Sequence, residues 1–149
     1  LFSRIDPMIR ALRGAMVSAI GRYVAELPAM VDQHPLLGWK RDRHVRFAGS
    51  WSVRLRGGGR HTNHVHPRGW VSSALYVGLP DHDPGEPEDA GWLVLGEPQP
   101  GLGGPQGGGR RIQPRPGRLV LFPSWMWHGT LPFATGERLT VAFDVAPPR

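Results

Sequence analysis

His64 and His66 are separated by a single residue, Val65. In an extended segment, residues two apart project from the same side. Two imidazoles set ~6–7 Å apart along a strand can converge on one metal ion. Alone, the pair reads equally well as two surface histidines beside a turn. A third histidine, His128, follows Pro116-Gly117, the apolar run Leu119–Phe122 and the break at Pro123. A histidine so placed stands at a strand end, where a barrel mouth can receive it. An early H-x-H and a late histidine form the ligand order of many mononuclear metal sites in double-stranded β barrels. Three nitrogen ligands leave coordination positions open and suit Fe, Zn, Cu or Ni, not Mg or Ca. Ten residues beyond His128, Arg138 and Thr140 share one face of a predicted strand. A guanidinium beside a hydroxyl suits a carboxylate gripped through two hydrogen bonds.

These side chains need a rigid frame. The predicted strands are Trp51–Leu55, Val65–His66, Val71–Val77, Trp92–Leu95, Leu119–Phe122 and Leu139–Val145, each bounded by Gly or Pro. Before them, Asp6 is a good N-cap, Pro7 fits the first helical position and Pro28 stops the run. Leu12, Met16, Ala19, Ile20, Tyr23, Val24 and Leu27 recur at helical spacing and form a packing stripe. Many short strands and one clear helix predict a mainly β fold: a double-stranded β-helix (jelly roll) with an N-terminal helix packed on one face. The acidic stretch 80–90 and the Gly/Pro-rich stretch 96–117 read as loops.

The chain of 149 residues suffices for one domain with a real core, spanning residues 1–149. It opens on Leu1 rather than Met, as expected of a piece excised from a longer protein. Cysteine is absent, which excludes disulfides, thiolate metal sites and cysteine nucleophiles and fits a cytoplasmic protein. No export signal and no apolar run near membrane-spanning length is visible. The net charge of +6 comes almost entirely from arginine, with Lys40 the lone lysine. The arginines are scattered, densest at Arg41, Arg43, Arg46 and the pair Arg110–Arg111, and read as a solvated surface. So read, they make a nucleic-acid partner unexpected, while a basic groove for an anionic substrate stays open. No G-x-S-x-G, H-E-x-x-H or P-loop motif supports hydrolytic or nucleotide chemistry.

An ordered set of motifs resembles the 2-oxoglutarate- and Fe(II)-dependent oxygenases. It comprises His64-x-His66-Pro67, Val71–Tyr76, Gly91-Trp92-Leu93, Pro116–Trp125, His128 and Arg138-x-Thr140-x-Ala142-Phe143. The resemblance runs from about Trp51 to the last residues. It implies Fe(II), 2-oxoglutarate as cosubstrate and O2, with hydroxylation of a small-molecule or peptide substrate and release of succinate and CO2. His64, His66 and His128 match the metal-ligand positions. Arg138 matches the arginine that holds the distal carboxylate of 2-oxoglutarate, Thr140 stands at the usual serine position, and Tyr76 adds a hydroxyl. Two departures stand out: His66 occupies the place of the usual carboxylate ligand, and Ser73 stands where relatives tend to have Gly.

Two other readings fit parts of the pattern. Gly58 followed by His64-x-His66, with Pro116-Gly117 and Pro123 before His128, also suits a cupin-type metalloprotein or a three-histidine dioxygenase independent of 2-oxoglutarate. The cupin glutamate after His66 is missing; Trp70 and Val71 occupy that region. A non-enzymatic β-fold binding module would bind without metal and with strong salt dependence. The flanking Trp70, Trp125 and Trp127 read as core ahead of pocket wall. His34, His44, His61 and His82 read as surface residues, with His61 near enough to the H-x-H to compete for a ligand role. Neither the substrate nor the oligomeric state can be read from the sequence.

Overall fold

The computed structural model describes residues 1–103 and 107–148. Helix α1 spans Pro7–Glu26, and the Asp6 carboxylate accepts the backbone N–H groups of Met8 and Ile9, as its sequence predicts. Among the described residues, eight strands follow: β1 (Phe47–Arg56), β2 (His61–His64), β3 (Val71–Gly78), β4 (Leu93–Leu95), β5 (Arg110–Ile112), β6 (Leu119–Pro123), β7 (His128–Thr130) and β8 (Glu137–Val145). They form two four-stranded antiparallel sheets, ordered β1-β8-β3-β6 and β2-β7-β4-β5. The fold is mainly β, of jelly-roll type, with the helix against one sheet. Among the described residues, no helix is long and apolar enough to cross a membrane.

The first sheet is covered on both faces. On β8, Val141, Phe143 and Val145 point outward and pack with Val71, Leu75 and Trp70 against Met16 and Ile20 of α1. The alternate residues Arg138, Thr140 and Ala142 point inward and line a cavity between the sheets. Both parities of β8 are therefore shielded, as expected for a central strand packed on two sides. A smaller apolar cluster of Leu93, Leu95 and Phe122 contributes Leu93 and Phe122 to the cavity wall. Gly117, at φ +80°, makes the turn into β6 and donates its N–H to the Tyr76 carbonyl at 2.8 Å.

Some element bounds differ from expectation. β1 begins at Phe47 rather than Trp51. The early short strand lies over His61–His64, so Val65 and His66 follow it rather than form it. β7 is an additional strand, ordered by pairing with β2 and β4 on either side. β5 lies inside the glycine-rich stretch 96–117, where pairing with β4 orders three residues that have little strand propensity alone. Residues 104–106 of that stretch lie outside the described residues.

Candidate metal centre and its cavity

β2 and β7 run antiparallel, with His64 directly opposite His128. Cross-strand partners on one face stand close enough to touch, and these two rings lie 4.3 Å apart between centroids. His66 comes from the turn after β2, whose backbone is pinned by its N–H to the Ser124 carbonyl at 2.8 Å. Its ring lies 5.0 Å from both other imidazoles. The three side chains each offer one nitrogen within 4.8 Å of the others.

Their Nδ1 atoms are already committed. His64 Nδ1 lies 2.8 Å from the Thr62 carbonyl and His128 Nδ1 lies 3.0 Å from the Met126 carbonyl. A carbonyl can only accept, so each Nδ1 carries the proton and each Nε2 presents a lone pair. His66 Nδ1 lies 2.7 Å from both carboxylate oxygens of Asp144. A ligating histidine is normally oriented in this way, through a hydrogen bond from its second nitrogen. Burial pushes the pKa of His128 down to about 4, and the nearby His64 and His66 add to that effect. His128 is therefore a neutral donor at pH 7. Three imidazole nitrogens at the edge of a cavity fit a divalent transition metal such as Fe(II).

The cavity has a volume of about 190 Å³. Trp51, Val53, Leu93, Phe122 and Ala142 supply apolar walls, and the three histidines, His61, Thr140 and Arg138 supply polar groups. Arg138 is only 4% exposed. Its Nη1 donates to the Gly91 carbonyl at 2.7 Å, while its Nε is buried without a partner. The guanidinium carbon sits 5.0 Å from the centre of the Tyr76 ring, and the Tyr76 hydroxyl is likewise buried and unpartnered. Burial pushes the Arg138 pKa down, opposed by Tyr76, and pushes the Tyr76 phenol up, opposed by Arg138. Buried donors without acceptors are costly. Arg138 lines the cavity, so a carboxylate entering it would meet the guanidinium, and the donor set fits a dicarboxylate as well as a metal.

The six residues predicted from the sequence therefore gather here, although Tyr76 backs Arg138 from beneath and does not line the cavity. His61 is not one of the three grouped nitrogens, yet it lines the cavity; burial, with Arg138 and His64, lowers its pKa. The surface reading of His61 gives way to a half-buried cavity residue. His34 instead accepts the N–H groups of Leu36 and Leu37 and organises its own loop. Trp70 is core, its indole N–H bound to the Leu36 carbonyl, and Trp125 is exposed. The indole at the three-histidine cluster is Trp51, 5.9 Å from the His66 ring. The hydroxyl of Ser73 bonds to both the carbonyl and the N–H of Phe143, stitching β3 to β8 where a glycine could not. Asp144 escaped the sequence reading. Its one signal there is a carboxylate in step with Arg138, Thr140 and Ala142 on the inward face of an otherwise apolar strand.

A family model described as "Putative 2OG-Fe(II) oxygenase" matches residues 49–144. No curated protein matches the chain. Among solved structures, it is similar to a 2OG-Fe(II) oxygenase family oxidoreductase from Burkholderia pseudomallei, with a TM-score of 0.53 and 15% identity, over 69% of this chain and 44% of that one. It is also similar to HygX from Streptomyces hygroscopicus, solved with iron bound, with a TM-score of 0.50 and 14% identity, over 88% of this chain and 67% of that one. A Pseudomonas putida prolyl-4-hydroxylase aligns with a TM-score of 0.49 and 24% identity, over 67% of this chain and 51% of that one. The chain thus spans about half the length of the prolyl-4-hydroxylase and of the Burkholderia protein.

Proposed function

The chain belongs to the 2OG-Fe(II) oxygenase family, and on that premise we propose that it is an Fe(II)- and 2-oxoglutarate-dependent oxygenase. The substrate would be a small molecule or a peptide, and the outcome hydroxylation. The observation that carries this reading is the buried Arg138, with its Nε unpartnered, in the same cavity as the three-histidine cluster. When bound, Fe(II) with 2-oxoglutarate and O2 supplies the oxidation of a substrate C–H bond, with succinate and CO2 as co-products.

The chain's own residues bind, orient and shield. His64, His66 and His128 hold the metal through Nε2, their rings set in advance by the hydrogen bonds at Nδ1. Arg138 binds the far carboxylate of the cosubstrate, helped by Thr140 on the same inward face of β8. The Tyr76 ring beneath the guanidinium limits its movement and adds an attractive cation–π contact. Val53, Leu93, Phe122 and Ala142 keep water out, and a dry wall strengthens every charged contact inside. The protein's contribution is fixed geometry, established before the substrate arrives.

The test is an anaerobic Fe(II) titration with and without 2-oxoglutarate, followed by visible absorption. A charge-transfer band that needs both components is expected. One observation favours a second reading: a metal set of three imidazoles with no carboxylate also suits a dioxygenase that does not use 2-oxoglutarate. Fe(II) binding without any response to 2-oxoglutarate would favour that enzyme. Absence of metal binding would overturn both.

A further inference from the structure

Three neutral imidazoles bring no negative charge to a divalent cation. The carboxylate nearest to them is Asp144, and the way it is held is unusual for a surface acid. Its side chain is 14% exposed, and both of its oxygens lie 2.7 Å from His66 Nδ1. Among the described residues, no arginine or lysine pairs with it, although the chain carries 18 basic residues. Instead, Ser72 Oγ donates to Asp144 Oδ1 at 2.7 Å and lies 2.9 Å from Ser124 Oγ. Both serines are fully buried. A carboxylate only accepts, so the single Ser72 proton goes to Asp144, and Ser72 in turn accepts from Ser124. Buried hydroxyls are thus spent on fixing one carboxylate against one imidazole. His64 and His128 manage with backbone carbonyls two residues upstream. Among the described residues, only His66 of the three has an anion behind it.

We propose that Asp144 is the positioning residue of the metal centre. It fixes His66 as the Nδ1–H tautomer with Nε2 free. It also supplies, one hydrogen bond outside the ligand set, the negative charge that the three imidazoles lack. A hydrogen-bonded carboxylate raises the basicity of a ligating histidine, and losing such a partner typically weakens metal binding by ~10–100-fold. The inference rests on the reading that the three histidines hold Fe(II), but it concerns affinity rather than turnover.

The experiment is anaerobic calorimetric titration of the metal-free chain with Fe(II), and in parallel with Co(II), without 2-oxoglutarate. Wild type, Asp144→Asn, Ser72→Ala and His128→Ala are compared. Asp144→Asn removes the charge, and its amide can also present N–H to Nδ1 and force the wrong tautomer. Its Kd should rise by ~10–100-fold, with a changed Co(II) d–d spectrum. Ser72→Ala keeps the charge and should weaken binding by less. A wild-type Kd in Asp144→Asn, with binding lost in His128→Ala, overturns this inference and leaves the functional reading standing. No binding by wild type overturns the functional reading itself. Should Asp144→Asn fail to fold, long-range ¹⁵N NMR of the metal-free wild type decides. The Nδ1–H tautomer at His66 is expected, and an Nε2–H tautomer overturns the proposal.

Discussion

Replacing Arg138 with lysine keeps a positive charge in the cavity but removes the planar fork. In the structure, Nη1 is spent on the Gly91 carbonyl, and Nε is the buried donor without a partner. A hydrogen bond from a charged donor contributes about 1.5–3 kcal/mol. Losing that one contact should therefore raise the Kd for 2-oxoglutarate roughly 10- to 150-fold. Loss of the Nη1 bond to Gly91 removes a tie between β8 and the turn before β4, costing about 1 kcal/mol of stability, or roughly 2–4 °C in Tm. Arg138 is not among the grouped metal-binding nitrogens, so metal affinity measured without cosubstrate should stay within about threefold of wild type. The assay is titration of the anaerobic Fe(II)-loaded protein with 2-oxoglutarate, read by calorimetry and by the charge-transfer band. A folded Arg138→Lys variant that binds 2-oxoglutarate as tightly as wild type would refute the assignment of Arg138 as the carboxylate anchor.

Three further outcomes are expected. Gly129→Ala would drive a methyl group against the Asn63 side chain and to 2.8 Å from the His61 carbonyl, prising β2 from β7 where His64 faces His128. It should cost about 1–3 kcal/mol and weaken Co(II) binding, checked by melting and titration of the same sample. Ile20→Ala, at a site with no exposure on the far side of the first sheet, should cost about 2–4 kcal/mol while leaving metal and 2-oxoglutarate affinities unchanged below the melting range. Because His128 titrates near 4 in the fold and near 6.5 when unfolded, the unfolded chain binds the extra proton between those values. The metal-free protein should therefore lose stability as pH falls from about 6.5 to about 4, by on the order of 3 kcal/mol. Denaturant midpoints across that range should show a slope that flattens in His128→Gln.

The legible parts of the sequence were those where one physical signal dominates. Helix α1 declares itself through Asp6, Pro7 and a stripe of apolar residues at helical spacing. β1 and β8 show two-residue alternation. β2 has no such pattern: His61-Thr62-Asn63-His64 contains no apolar residue, so hydrophobic periodicity says nothing about it. β7 is three residues with glycine at the centre, and β5 is two arginines and an isoleucine. Both exist only because β4 and its neighbours offer unsatisfied backbone groups to pair with. The site followed the same division. Histidine and arginine announce their chemistry by type, so His64, His66, His128 and Arg138 stand out in the sequence as candidates, and the fold brings all four to one cavity. Asp144 could not, because a single acid inside Ala142-Phe143-Asp144-Val145 resembles any strand-end polar residue until the partner 78 positions earlier is known. His61 reads as surface in the sequence because burial depends on distant chain, and in the fold it lines the cavity with Arg138.

The inward row of β8 has a consequence for timing. Two of the three imidazoles are oriented by carbonyls only two residues away, as soon as their own segments form. The third is oriented from β8, the same strand that carries Arg138 and Thr140. During synthesis His64 and His66 emerge long before that strand. Until it docks between β1 and β3, the chain has histidines but no carboxylate behind His66 and no Arg138 in the cavity. A one-residue slip of β8 would turn Arg138, Thr140 and Asp144 toward the helix side together. If the three histidines hold Fe(II) as proposed, a nascent or misregistered chain would lack the complete site, and metal loading would be a property of the finished fold.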